Sequence, residues 1–302
     1  TTPIRHGHAA CENAAMPQIM NVGSLNIDRV YRVPHIVRPG QTIAASDFRV
    51  FAGGKGLNQS VAAARAGARV KHVGRVGEDG RWLIEALGRD GIDTAHVRVD
   101  AERATGCAVI QVADDGENAI VIDAGTNAAI SSDDLDQALG SAERDDVLLL
   151  QNETRANAQA ISHAQKLGMR TVLNPAPMTT AVKDLPLEAV HLLIVNETEA
   201  EELGDGIQRA GRNVNGAVLT TLGKDGAVYR HGHKELRIEA HAVEAVDTTA
   251  AGDTFIGYFL ASWIEQSDVE LALRRATAAA AWCVQRPGAM DSIPRAEELD
   301  SA

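Results

Sequence analysis

Aromatic side chains are scarce in this chain: three Trp, three Tyr and four Phe among 302 residues. A core of this size must therefore be built from Val, Leu, Ile and Ala, as layered α/β proteins build theirs. Cysteine is equally sparse. Cys11, Cys107 and Cys283 are odd in number and far apart, which excludes a disulfide framework and a zinc-binding pattern; free thiols in a reducing cytoplasm are expected. No apolar run approaches the roughly 18 residues that span a bilayer. Positive charge is also short, with 29 Lys and Arg against 41 Asp and Glu and a formal net charge of −12. Such a chain has no long-range attraction for nucleic acid or an anionic membrane. A local nest of backbone N–H groups can still bind phosphate within it.

What is present is apolar content, 45% of the residues, enough for one large domain or one domain with a small addition. The opening Thr1 to Ala15 is polar and Ala-rich and has no apolar signal-peptide centre. Residues 1–17 are expected to be a disordered leader or an expression remnant, with Met16 and Met20 as candidate starts and His6 and His8 as tail residues. Gln18 to Ser24 reads as a buried strand. Val30 to Phe51, broken by Pro34, Pro39 and Gly40, reads as hairpin material. A small-residue helix is expected over Gln59 to Ala66, stopped by Gly67. Gly106 to Val112 and Asn118 to Asp123 form a second hairpin around Asp114-Asp115-Gly116.

From Ser131 onward strands and helices alternate: strands at Val147 to Leu150, Thr171 to Asn174, His191 to Val195 and Ala217 to Thr221, helices at Ala156 to Leu167 and Thr198 to Leu203. This rhythm implies a mostly parallel central sheet covered on both faces, a three-layer α/β sandwich. The two hairpin stretches, about 29–52 and 104–124, break the rhythm. They are expected to pair into a small β-sheet lid over the carboxyl ends of the main strands, where ligands bind in such folds.

The segment Val246-Asp-Thr-Thr-Ala-Ala-Gly-Asp-Thr-Phe-Ile-Gly257 places a turn of small residues before an apolar helix that reaches about Trp263. Small residues let backbone N–H groups approach an anion, and the helix start adds unpaired donors and positive potential. Asp253 falls in the first turn. Alone it reads as a helix cap; two carboxylates six positions apart with only small residues between are more than a cap requires.

This segment resembles the C-terminal signature of the ribokinase-type carbohydrate kinase family, and Gly53-Gly54-Lys55-Gly56-Leu57-Asn58-Gln59 resembles its N-terminal signature. Gly23-Ser24-Leu25-Asn26-Ile27-Asp28, Asn196-Glu197-Thr198-Glu199-Ala200-Glu201 and Thr221-Leu222-Gly223-Lys224-Asp225-Gly226 resemble its sugar-binding opening, its phosphate and magnesium motif and its nucleotide loop. The five stand in the family's order over roughly 20–295. The resemblance implies ATP-dependent phosphorylation of D-ribose at its 5-hydroxyl. Asp253 would be the base, with an anion hole of the amides of Ala250, Ala251, Gly252 and Asp253. The sugar would meet Asn26, Asp28, Gly54, Lys55, Asn58, Glu153 and Asp253. ATP would lie against Asn196, Thr221, Gly223, Gly226, Gly252 and Thr277. Magnesium would be organised through water by Asn196 and Glu199. An activating potassium ion would take Asp247, Thr249, Cys283, Arg286, Gly288 and Ser292, mostly through carbonyls. A homodimer clasped through the lids is also implied.

The sequence departs from the family pattern at Gly204 to Asn215, where four glycines nearby leave no comfortable room for a full amphipathic helix. Asn152 is more polar than a strand end needs. Readings kept beside the leading one are a kinase for 2-deoxyribose, fructose or a nucleoside, and a non-catalytic sugar or nucleotide sensor. The presence of Asp253 and Gly252 argues against the sensor. A dinucleotide-dependent dehydrogenase would need Gly-x-Gly-x-x-Gly after the first strand, which Gly23 to Asp28 lacks.

Overall fold

The structure, a computed structural model, describes residues 17–211 and 216–300. The leader expected over 1–17 lies outside them but for Pro17. Thirteen strands and nine α-helices occur among the described residues. In chain order they are β1 (Gln18–Val22), β2 (Asn26–Val33), β3 (Asp47–Gly53), α1 (Lys55–Arg65), β4 (Arg69–Gly77), α2 (Arg81–Arg89), β5 (Asp93–Asp100), β6 (Gly106–Ala113), β7 (Asn118–Asp123), α3 (Ser132–Leu139), β8 (Val147–Gln151) and α4 (Asn157–Leu167). Then follow β9 (Arg170–Asn174), β10 (Leu192–Asn196), α5 (Glu197–Leu203), α6 (Gly206–Gly211), β11 (Ala217–Thr221), β12 (Ala227–His231), β13 (Lys234–Ile238), α7 (Ala251–Gln266), α8 (Val269–Cys283) and α9 (Ala296–Asp300).

Nine strands form the main sheet in the order β13-β12-β11-β10-β9-β8-β1-β4-β5. From β11 to β5 every pairing is parallel; β12 and β13 add an antiparallel edge. The inner strands are apolar on both faces, as a sheet covered by helices on both sides requires. Alternation divides them between two cores. Val147, Leu149, Leu192 and Ile194 join the core under α1, α2, α7 and α8. Leu148, Leu150, Leu193 and Val195 join the core under α3, α4, α5 and α6.

The second sheet has the order β3-β2-β6-β7, with β2 and β6 parallel and both outer pairs antiparallel. Only Gly23 to Leu25 separate β1 in the main sheet from β2 in the small one, and Gly54 alone separates β3 from α1. The start of α1 therefore sits where the two sheets meet.

Helix α1 begins at Lys55, four residues before the expected Gln59. Its first-turn donors find acceptors elsewhere in the fold. Lys55 N donates to Glu153 Oε2 at 2.9 Å, Gly56 N to Ser24 Oγ at 3.1 Å and Leu57 N to the Ser24 carbonyl at 2.9 Å. The helix can start early because its orphan donors are satisfied by distant groups, which local sequence does not announce. Strands β5, β12 and β13 and helix α8 are further elements absent from the sequence reading. In the Gly204 to Asn215 stretch the structure has only the six-residue α6; residues 212–215 lie outside the described ones. Asn152 is a turn residue past β8 whose amide donates to the Pro177 carbonyl at 2.7 Å and to Thr179 Oγ1 at 3.1 Å.

Helices α1 and α7 cross in unusually close contact. A Cβ on Gly257 would stand 2.4 Å from the Ala62 Cβ and 2.5 Å from Ala63 N. Gly257→Ala is expected to destabilise the protein by about 1–3 kcal/mol through overpacking. Gly88→Ala, on an exposed helical position with nothing within 4 Å of the new Cβ, should stabilise by about 0.5–1 kcal/mol. Urea denaturation of the two variants beside the parent checks both signs.

Candidate active site

Asp253 lies in the first turn of α7, buried at 7% exposure, and caps nothing: no side chain closes the start of this helix. Its carboxylate turns instead toward α1. Oδ2 accepts from Asn58 Nδ2 at 3.1 Å and Oδ1 from Gln59 Nε2 at 2.9 Å. The close helix crossing at Gly257, one turn further on, puts these groups within reach.

The backbone at the start of α7 is set by Ala250, whose φ of 60° is left-handed, a conformation that costs a non-glycine residue about 1 kcal/mol or more. Ala251 N makes a long turn bond to the Thr248 carbonyl at 3.3 Å. Among the described residues, the N–H groups of Ala250, Gly252 and Asp253 donate to no acceptor. Free donors at a helix start are groups that can receive an anion.

Asn26 and Asp28, two apart on β2, point to one face of the small sheet. Asn26 Oδ1 accepts from Asn127 Nδ2 at 2.7 Å, and Asn127 is itself fastened to the backbone of Leu25 at 2.9 Å and 3.2 Å. Glu153, on the turn after β8, accepts from Ser24 Oγ as well as from Lys55 N. It is thus the anchor of α1, not a solvated turn residue. Burial first, and then the charge of Glu153, push Asp28 up to about 7. Burial likewise raises Glu153 despite the Ser24 and Lys55 hydrogen bonds. Asp253 first, then Glu153 and Glu199, hold the Lys55 ammonium charged against the opposing effect of burial. Lys55 is therefore the cation around which Asp253, Glu153 and Glu199 gather.

At the far side of the crevice Asn196 and Glu199 form a reciprocal cap on α5. Asn196 Oδ1 accepts from Glu199 N at 2.8 Å, and Glu199 Oε2 accepts from Asn196 N at 2.9 Å. Thr221 closes β11, and the turn Gly223–Asp225 leads into Gly226. Thr277 is buried in α8 with its hydroxyl donating to the carbonyls of Leu273 and Arg274, both at 2.9 Å. That leaves no hydroxyl hydrogen for a ligand.

Asp247 ties its loop to the end of α8. Oδ1 accepts from Thr249 N and Oδ2 from Gly288 N, both at 2.9 Å. Burial alone would raise this carboxyl, but the bonds from Thr249 and Gly288 hold it below its usual range. Cys283 Sγ lies 3.1 Å from Ser292 Oγ and donates to the Thr249 carbonyl at 3.7 Å. Asp247, Thr249, Cys283, Gly288 and Ser292 are thus brought together. The Arg286 side chain turns away, over the Trp282 ring and onto Glu298 at 2.8 Å, leaving only its backbone near the group.

Ser24, Gln59, Asn127, Gln151 and Asn174 are site-supporting residues that the sequence reading did not single out. Ser24 and Gln59 stood inside the quoted motifs. Gln151 and Asn174 end apolar strands, and a polar amide in such a run is the signal that could have found them.

Comparison with known families matches residues 16–296 to the pfkB family carbohydrate kinases. The chain is 38% identical to a ribokinase of Haemophilus influenzae over 293 residues, covering 92% of this chain and 95% of that one. It is 32% identical to a deoxyribokinase of Salmonella typhi, covering 92% and 96%. Among solved structures, that of Arabidopsis thaliana ribokinase complexed with ribose and ATP superposes with a TM-score of 0.84 at 33% identity, covering 95% and 98%. The chain belongs to the pfkB family of carbohydrate kinases.

The raised Asp28 carboxyl has a measurable consequence. The folded protein holds a proton there that the unfolded chain, at an ordinary 3.8, has lost. This stabilising contribution is complete below about pH 4 and is lost as pH rises through about 7, on the order of 4 kcal/mol at most. Denaturation of the ligand-free protein over pH 5–8 should show stability falling with pH, and Asp28→Asn should flatten that slope. Equal slopes in parent and variant would remove Asp28 as its source.

Proposed function

We propose that the chain is a ribokinase, transferring the γ-phosphoryl group of ATP to the 5-hydroxyl of D-ribose with Asp253 as general base. The observation that carries the reading is the juxtaposition at the start of α7. A buried carboxylate and a set of unoccupied backbone donors lie within one helical turn. Asp253 takes the proton of the sugar hydroxyl as its oxygen attacks the γ-phosphorus, and the bond to the bridging β-oxygen breaks to release ADP. The free amides stabilise charge that develops on the transferred group. Asn26, Asp28, Lys55, Asn58 and Glu153 offer the sugar paired acceptors and donors on rigid elements, which is what orients a hydroxyl for in-line attack.

The carboxylates of Asp253, Glu153 and Glu199 face the one ammonium of Lys55 in this crevice. A triphosphate entering it needs its charge neutralised. Asn196 and Glu199 suit magnesium held through water: their capping bonds use one oxygen of Glu199, and the other remains for a water of the ion's shell. Bound there, magnesium would neutralise the phosphate charge. The oxygen-rich group of Asp247, Ser292 and the carbonyls around Thr249 and Gly288 suits potassium. That ion would brace the loop carrying the anion site, which Val246 N and Asp247 N already fasten to the Val284 carbonyl at 2.7 Å and 3.1 Å. Thr221, Gly223, Gly226 and Gly252 would border the nucleotide, with Thr277 touching it through its methyl group alone.

The small sheet serves as the lid in this reading. Its edge strands β3 and β7 carry exposed apolar residues, among them Phe48, Val50, Ile120 and Val121, the last 70% exposed. Unpaired edges with apolar faces favour self-pairing, so a homodimer through the lids is part of the proposal. The preference of ribose over 2-deoxyribose rests on a single hydroxyl.

A coupled ADP-release assay against ribose, 2-deoxyribose, fructose and nucleosides tests the reading. Ribose is expected to give the highest kcat/KM, with potassium raising the rate over sodium. Asp253→Asn should retain sugar binding by calorimetry while turnover falls by roughly 10² to 10⁴. Sugar-independent ADP release, or near-parental turnover in the variant, would contradict it. In light scattering the parent should be a dimer and Val121→Lys a monomer; a monomeric parent would remove the lid clasp.

A further inference from the structure

We infer that Gln59 is a positioning residue for Asp253, held in one orientation by a buried chain of amides that runs through Gln151 to Asn21 beneath the site. Gln59 is fully buried and uses both its amide hydrogens. One goes to Asp253 Oδ1 at 2.9 Å and the other to Asn174 Oδ1 at 3.1 Å. Its oxygen accepts from Gln151 Nε2 at 2.7 Å. Turning the amide over would set an oxygen against two acceptors and a nitrogen against a donor, so only one orientation is compatible with its neighbours.

Those neighbours are fixed in turn. Asn174 Nδ2 donates to the Ile194 carbonyl at 3.0 Å, which leaves its oxygen for Gln59. Gln151 Nε2 also donates to Asn21 Oδ1 at 3.1 Å. Asn21 Nδ2 donates to the Gly56 carbonyl and to Ser60 Oγ, both at 2.8 Å. Ser60, accepting there, gives its own hydrogen to His72 Nδ1 at 2.8 Å. Burial pushes His72 down to about 4, against a smaller opposing contribution from the Gly23 carbonyl, so the ring is neutral and Nδ1 can accept. Every member is a buried polar group, and Gln151 donates both ways along the chain, to Gln59 and to Asn21. Gln151 Oε1 and His72 Nε2 lack a partner, but every contact between the amides pairs a donor with an acceptor, and reversing either the Gln59 or the Gln151 amide would set oxygen against oxygen in a dry interior.

The chain contributes no group that would touch sugar or nucleotide. Its work is on Asp253, whose two oxygens are taken by neighbouring residues of α1. Gln59 is anchored from below by residues at the ends of three main-sheet strands. The rigid sheet thereby sets the plane of the carboxylate. The inference rests on the reading of Asp253 as the base.

Gln59→Met keeps the length of the side chain and removes its donors and acceptor. It is expected to lower kcat on the order of ten- to a hundredfold, with KM for sugar and ATP within about threefold. In the Asp253→Asn background the same change should alter the residual rate by less than about twofold, because there is no base left to position. Crystal structures of parent and variant read the carboxylate directly and should show it rotated in Gln59→Met. Gln151→Met, one step removed, should give a smaller loss of kcat with the same non-additivity, and it carries the test if Gln59→Met does not fold. A kcat within threefold, an equal loss in both backgrounds, or an unmoved carboxylate would overturn the inference. If the parent phosphorylates no sugar while the carboxylate still rotates, the proposed function fails and the positioning role stands.

Discussion

The approach of α7 to α1 is the contact on which the rest of the site depends. With no side chain on Gly257, the two backbones close to a distance that any Cβ would forbid. That closeness brings Asn58 and Gln59 to Asp253 across nearly two hundred residues of sequence. The same helix α1 is anchored at its start by Ser24 and Glu153, so one short helix links the small sheet, the main sheet and the helix that bears the acid. Shifting α1 would move Lys55, Asn58 and the Asp253 carboxylate together.

The electrostatics of the crevice follow from that convergence. Asp28 and Glu153 are pushed up by burial, and Lys55 is kept charged chiefly by Asp253. One consequence is an unmet acceptor, for Asp28 Oδ1 is buried without a partner. Stability forgone at the site is the usual accompaniment of preorganised binding groups. The free amides at the start of α7 are presented by a different device, a left-handed residue at a helix start, and so draw on backbone groups and not on charge.

Much of this was legible in the sequence. The alternation of strand and helix after Ser131 identified the three-layer sheet. The turns at Asp114 to Gly116 and around Pro39 marked strands outside it. The five ordered motifs marked Asn26, Lys55, Asn58, Asn196 and Asp253 as candidate site residues. Strands β12 and β13 and helix α8 were not read. Neither was the early start of α1, because its first-turn donors are satisfied by Ser24 and Glu153, a tertiary fact with no local mark. The amide chain under Asp253 was hidden for the same reason. Asn21, Gln151 and Asn174 are each a single polar residue at a strand end, and only the folded sheet shows that they converge. The capping box of Asn196 and Glu199 shows the converse, since a local helix cap is written with the same residues that the motif carries.

The central claim is that Asp253 and the amides beside it act on a primary sugar hydroxyl. Incubating the protein with ATP, magnesium, potassium and uniformly carbon-13-labelled ribose, then reading the product by carbon and phosphorus NMR, tests it most directly. The account predicts a single phosphomonoester coupled to C5, formed in step with ADP. Phosphate on the anomeric carbon, or ADP formed with no sugar ester, would contradict it.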